Sequence, residues 1–245
     1  RIKEISDLYT QSSINNTAFF ANPSVVYHLS KSFYKGKNYD KAIKNYKESL
    51  KIHEQFDDKK NIALALNNIG VVYKEKKDYP NALIFLNDAL KVSQEINDMD
   101  NTARCLINIG DVYLGLKKNK IALQNFLKAK KINAKIGTKL GLCYSYLGIA
   151  TVYVNQKKYE KALINAIKSK NLSNKLDAID YQRDVYNLLS IIHENTNNFE
   201  KALESHQKYK LLSDSLFNKE NIEKIAQLEY EYKYEQALDL ASIRE

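Results

Sequence analysis

The sequence predicts an all-α solenoid of antiparallel helix hairpins. Three observations carry that expectation: a scarcity of turn-forming residues, a 40-residue period, and two apolar stripes of helical spacing inside each period. The chain has 245 residues with only 7 Gly and 2 Pro. A β-rich chain needs many such residues for its turns, so their scarcity favours long helices joined by short loops. Hydrophobic residues make up 44% of the chain, enough for a core. Aromatic content is 11% without a single Trp, and 18 of those residues are Tyr. Tyr combines apolar area with a polar tip and suits seams that lie near water.

The period is read from registers. Ala42, Ala82, Ala122, Ala162 and Ala202 stand 40 residues apart, each followed by an aliphatic. Three residues earlier lie Tyr39, Tyr79, Asn119, Tyr159 and Phe199; twelve earlier lie the small residues Ser30, Gly70, Gly110, Ala150 and Ser190. In the second copy Leu66, Ile69, Gly70 and Tyr73 form one helical stripe, and Ala82, Leu83, Leu86, Ala89 and Leu90 form another. Gly70 facing Ala82 lets the two helices approach closely. Pro80 suits a first helical turn, where its missing N–H costs nothing. One hairpin cannot bury both faces, so successive copies must stack.

Leu66-x-x-Ile69-Gly70-x-x-Tyr73 followed by Ala82-x-x-x-Leu86-x-x-Ala89 resembles the tetratricopeptide repeat, in a long-helix variant with a 40-residue period. That branch includes kinesin light chains, cell-polarity adaptors and bacterial peptide-receptor regulators. The resemblance implies a right-handed superhelical solenoid with five repeats over residues 23–215. Residues 1–22 then read as the second helix of a truncated preceding repeat, and residues 216–245 as a capping or linker helix. The segment Glu223 to Tyr232 is similar to tails of Bacteroidetes-type signalling regulators.

In this family the first helix of each pair lines the concave face. Carried onto this sequence, the resemblance makes Tyr27, Lys31, Tyr34, Asn67, Asn68, Lys74, Arg104, Asn108, Asp111, Tyr144, Asn155 and Asn187 the candidate peptide-binding groove. Asn carries both donor and acceptor and can pair with the backbone of an extended guest; it can equally bind water or local backbone. The five-residue carboxylate clamp of chaperone co-factors is not reproduced, because Tyr27 and Lys31 do not supply its first Lys and Asn.

Formal net charge is +9. Lysines gather in the turns inside each hairpin and acids in the turns between hairpins, which anticipates one basic and one patchier acidic edge. Lys near a helix C-terminus complements the helix dipole, so this placement does not demand a partner. The chain holds just four Arg, at 1, 104, 183 and 244, and no aromatic-plus-Arg platform, which argues against nucleic-acid binding. No apolar run is long enough to span a membrane. Arg1 in place of Met implies an upstream segment has been removed, leaving cytoplasm and periplasm both open.

No phosphate loop, dinucleotide fingerprint or zinc-hydrolase motif is present, and the histidines 28, 53, 193 and 206 lack ligand spacing. Cys105 and Cys143 read as buried free thiols, and His193 as a packed residue in the register of Tyr73. The expectation is a non-catalytic module without cofactor or metal that binds a peptide or protein segment, as sensor or adaptor within a larger signalling regulator. Two other readings stand beside it: a peptide receptor acting on response regulators, and a dimerisation spacer self-associating through its C-terminal helix.

Overall fold

A computed structural model describes Ser30, Phe33, Tyr34 and residues 36–219. Among these residues the chain forms helices and turns only. The helices are α1 (Tyr39–Gln55), α2 (Lys59–Glu75), α3 (Tyr79–Glu95), α4 (Met99–Gly115), α5 (Asn119–Ile136), α6 (Lys139–Asn155), α7 (Tyr159–Lys175) and α8 (Ile179–Asn195). A further helix, α9, runs over 199–219. The expected all-α, tetratricopeptide-like class is what forms: α1 to α4 pack each on the next, and so do α6 to α8.

The unit of construction is half the sequence period. Nine residues with positive φ recur every 20 positions: Lys37, Asp57, Lys77, Asn97, Lys117, Gly137, Lys157, Asp177 and Asn197. Eight of them are not glycine and sit at φ between +48° and +61°. Those eight close their helices in the same way. At the end of α2 the Lys77 N–H donates to the Lys74 carbonyl and the Asp78 N–H to the Tyr73 carbonyl, both at 2.9 Å. This left-handed cap satisfies carbonyls that the helix end would otherwise leave unpaired. Asp78 then caps the next helix, its side chain accepting from the Asn81 N–H at 3.2 Å. Asn38, Asp58 and Asp98 do the same, whereas Thr138, Lys158 and Ala178 make no such bond. Such a cap contributes about 1 kcal/mol.

By backbone contacts the chain divides into two compact units, Arg1–Asn125 and Phe126–Glu245, the division falling within α5. In the first unit Gly70 fulfils the expected close approach: a Cβ there would stand 2.6 Å from the Leu86 Cγ and 3.2 Å from the Ala82 carbonyl oxygen. Ala82 and Leu86 of α3 pack in turn on Ile109 and Val112 of α4. Tyr79 lies across Gly115, where a Cβ would meet its hydroxyl at 2.5 Å. In the second unit Ala150, Ala162 and Ala166 pack with Val185, Leu189 and Ile192. Tyr159, in the register of Tyr79, there donates to the Asn195 Oδ1 at 2.9 Å.

A buried polar seam shows how the copies trade volume. In the first unit Asn101 of α4 donates to the Ser93 hydroxyl of α3 at 2.8 Å. In the second unit the amide has changed sides: Asn133 of α5 is buried and Gly141 of α6 faces it. Two asparagines would collide there, and two small residues would leave a void.

Residues 1–22 and 220–245, with their expected terminal helices, lie outside the described residues. The expected boundary at 216 falls inside α9. Where the next positive-φ residue would recur stands Phe217, which is helical. A bulky aromatic is a poor left-handed residue, so the turn is not made.

Non-glycine residues in the left-handed region cost about 1–2 kcal/mol, partly offset for glycine by its greater unfolded-state entropy. Lys77→Gly is therefore expected to raise stability by about 0.5–1 kcal/mol and Gly137→Ala to lower it by about 1 kcal/mol. Urea titration followed by circular dichroism checks the opposite signs.

Candidate peptide-binding face

The helices expected to line a groove are the first of each pair: α2 and α4 in the first unit, α6 and α8 in the second. Side-chain contacts show that α2 and α4 run side by side. The Asn108 amide donates to the Asn67 Oδ1 at 2.9 Å, and the Cys105 thiol lies 3.6 Å from the same oxygen. One helical turn further on, Lys74 meets Asp111 at 3.4 Å.

These contacts sort the candidate residues. Asn67 is only 5% exposed, and its carbonyl serves as the joint between two first helices. Asn68 is half-buried, and its amide nitrogen is buried with no hydrogen-bond partner among the described residues. Asn108 is half-buried, with one donor used on Asn67. Arg104 is exposed and paired with Asp100 one turn earlier at 2.9 Å. Lys74 and Asp111 are half-buried and joined to each other. Tyr34 is half-buried beside Tyr39, ring centroids 6.3 Å apart. Tyr27 and Lys31 lie outside the described residues.

In the second unit Tyr144 is exposed and meets Tyr181 edge-on, centroids 4.3 Å apart. Asn155 and Asn187 are exposed. Burial raises the Tyr181 hydroxyl above its ordinary pKa, against the opposing hydrogen bond with Tyr144. Beside them Asp184, also raised by burial, is held by Arg183 at 2.8 Å. Registers that look equivalent in sequence therefore differ in depth. The position two before the small residue is half-buried at Asn68 and Asn108 but closed at Gly148, where an added Cβ would stand 2.5 Å from the Phe126 ring. Tyr181 was not among the sequence candidates. It falls in the register of Asn61, Asn101 and Gly141, which carries no surface signal in the other copies.

The chemistry-bearing residues outside the face are packed. Cys105 and Cys143 are free and buried. Burial pushes the Cys105 thiol up to about 12. Cys143 Sγ lies 3.2 Å from the Ser169 hydroxyl, which itself donates to the Cys143 carbonyl at 2.9 Å. Burial, with Lys201 and Lys170 nearby, lowers the His193 pKa. No group of three His, Cys, Asp or Glu able to hold a metal is found among the described residues, and no described helix is long and apolar enough to cross a membrane.

A tetratricopeptide-repeat family model matches residues 24–95 and 61–135. No curated protein sequence matches the chain. In structure it is similar to BtubC (BKLC) from P. vanneervenii, with TM-score 0.67 and 15% identity over 87% of this chain and 88% of that one. It is similar to the apo form of RapI, with TM-score 0.63 and 16% identity over 89% and 92% of the two chains. A Rap protein complexed with competence and sporulation factor aligns with TM-score 0.74 and 16% identity, over 85% of this chain but 59% of that one. At such identities the likeness is one of fold.

Removing the Asn67 acceptor leaves the Asn108 amide and the Cys105 thiol without it, so Asn67→Ala is expected to cost about 1–3 kcal/mol of stability. Exposed Asn187→Ala is expected to change stability by less than about 0.5 kcal/mol, and thermal unfolding of the two variants tests the contrast. Both thiols are expected to stay silent to a thiol-specific reagent at pH 8 in the native protein and to react fully in urea.

Proposed function

Because residues 24–135 carry tetratricopeptide repeats, we propose that this chain is a non-catalytic module that holds a peptide or protein segment along its first helices. It serves as the sensor or adaptor part of a larger signalling regulator. The observation that carries the reading is the amide of Asn68, which has no hydrogen-bond partner among the described residues and lies on the helix that also carries half-buried Lys74. A buried donor without a partner costs about 1–3 kcal/mol, and turning the half-buried Asn68 side chain outward onto an extended guest's backbone carbonyl would relieve it. The alternation of Asn, Tyr and paired charges on this face suits recognition of backbone and side chain together. Among the described residues of the face no nucleophile, base and oxyanion donor come together, which supports binding over turnover.

A second reading, a peptide receptor that acts on response regulators, is favoured by one comparison. The aligned Rap protein is complexed with competence and sporulation factor, and this chain spans 59% of its length.

The expected result for the first reading is that Asn68→Ala combined with exposed Arg104→Ala weakens a cognate peptide at least tenfold in calorimetric titration, with thermal stability not lowered. Undiminished affinity in that double variant removes the peptide from this face. A response-regulator dephosphorylation assay separates the second reading, which requires accelerated loss of phosphate.

A further inference from the structure

Three registers on the flank of the hairpins, away from the first-helix face, differ in kind between the two units. In the first unit they are Leu50, Leu66 and Asp88, and Leu50 and Leu66 close into one apolar cluster with Ala89 and Cys105. In the second unit the same registers read Lys130, Tyr146 and Lys168, then again Lys170, Tyr186 and Lys208. The geometry realises the first of these groups in full and the Tyr186–Lys208 contact of the second. The Lys130 and Lys168 ammoniums, from α5 and α7, stand 5.9 and 5.5 Å from the centroid of the Tyr146 ring on α6 between them. One repeat later Lys208 of α9 stands 5.4 Å from the Tyr186 ring of α8. We propose that these two Lys–Tyr–Lys groups form a docking surface for an acidic protein segment, separate from the first-helix face.

Local structure does not account for these charges. Lys130 and Lys168 lie more than one turn before the ends of α5 and α7, beyond the reach of the helix-dipole effect that explains the turn lysines. Among the described residues Lys130, Lys168 and Lys170 make no ion pair, while Lys208 meets Glu204 at 3.4 Å. Within residues 126–136, α5 adds Lys128, Lys131 and Lys135 and no carboxylate, so like charges accumulate uncompensated. The aromatic faces hold the ammoniums in place, and that preorganisation favours discrete carboxylates at repeat spacing. Ile164 and Ile167, 56% and 40% exposed, flank Lys168 and offer apolar contact to the side chains of a protein partner. The cations set on the rings are all Lys, and Arg183, one turn before Tyr186, is tied to Asp184 at 2.8 Å; without a free Arg fork of the kind that best matches phosphate, a carboxylate-bearing partner fits better than a nucleic acid.

The test uses the full chain and a fluorescent peptide of ten Asp-Glu repeats, followed by anisotropy at physiological salt. Changing Lys130, Lys168, Lys170 and Lys208 together to Glu is expected to weaken binding at least tenfold. A control with the same charge change at exposed Lys44, Lys51, Lys60 and Lys91 is expected to weaken it less than threefold. Tyr146→Leu with Tyr186→Leu is expected to weaken it about threefold, because the rings position the ammoniums. Circular dichroism and the thermal midpoint confirm that each variant is folded; should the quadruple Glu variant not fold, the four-fold Lys→Gln variant carries the same expectation. Equal losses in the two quadruple variants, or no wild-type binding, overturn the proposal. Tighter binding of anionic vesicles or of single-stranded nucleic acid, lost in the first quadruple alone, gives the surface to that partner and overturns it as well.

Discussion

The organisation of the chain depends on one backbone constraint, a three-residue turn with a left-handed residue at its centre. Its two amide bonds close the outgoing helix, and at Asn38, Asp58, Asp78 and Asp98 its last residue caps the incoming one. Residues 76–78 illustrate the economy: three residues suffice to end one helix and begin the next. Because the turn recurs every 20 residues, almost every helix is 17 residues long. Facing residues in successive hairpins therefore keep their phase. A single extra residue would rotate a helix by about 100° and carry its small-residue stripe away from its neighbour.

Given constant phase, packing reduces to pairwise matching of volumes. Gly70 against Leu86, Gly115 against Tyr79 and Gly148 against Phe126 are three solutions to one problem, each placing a missing side chain under a large one. The Ser93–Asn101 pair and its counterpart Asn133–Gly141 solve it for polar groups. The copies are thus interchangeable in backbone and distinct in side chain. That lets different copies carry different surface chemistry without disturbing the frame.

Two kinds of surface result. The first helices present half-buried amides, aromatic edges and ion pairs, groups suited to an ordered guest. On the flank of the second unit the second helices present ammoniums set on tyrosine rings, where the first unit is sealed with leucine. A fold that spends few residues on loops leaves most of its recognition chemistry on helix faces.

The residues alone determined the helical class, the 40-residue period, the small-residue approach of Gly70 and the burial of both cysteines, because these follow from repetition and polarity that need no partner to be visible. Three things were settled only in three dimensions. Lys77 and Lys117 as left-handed residues were not legible, since the backbone bonds that stabilise this conformation are independent of side-chain identity and glycine, its usual marker, is present only at Gly137. Asn67 and Asn68 are adjacent and alike in sequence, yet one is a buried joint to Asn108 and the other has an amide nitrogen with no partner among the described residues. A helical step of 100° separates them, and only the neighbouring helix decides which direction is inside. Likewise Lys130, Tyr146 and Lys168 come from three different helices, and composition cannot reveal that one ring lies between two charges.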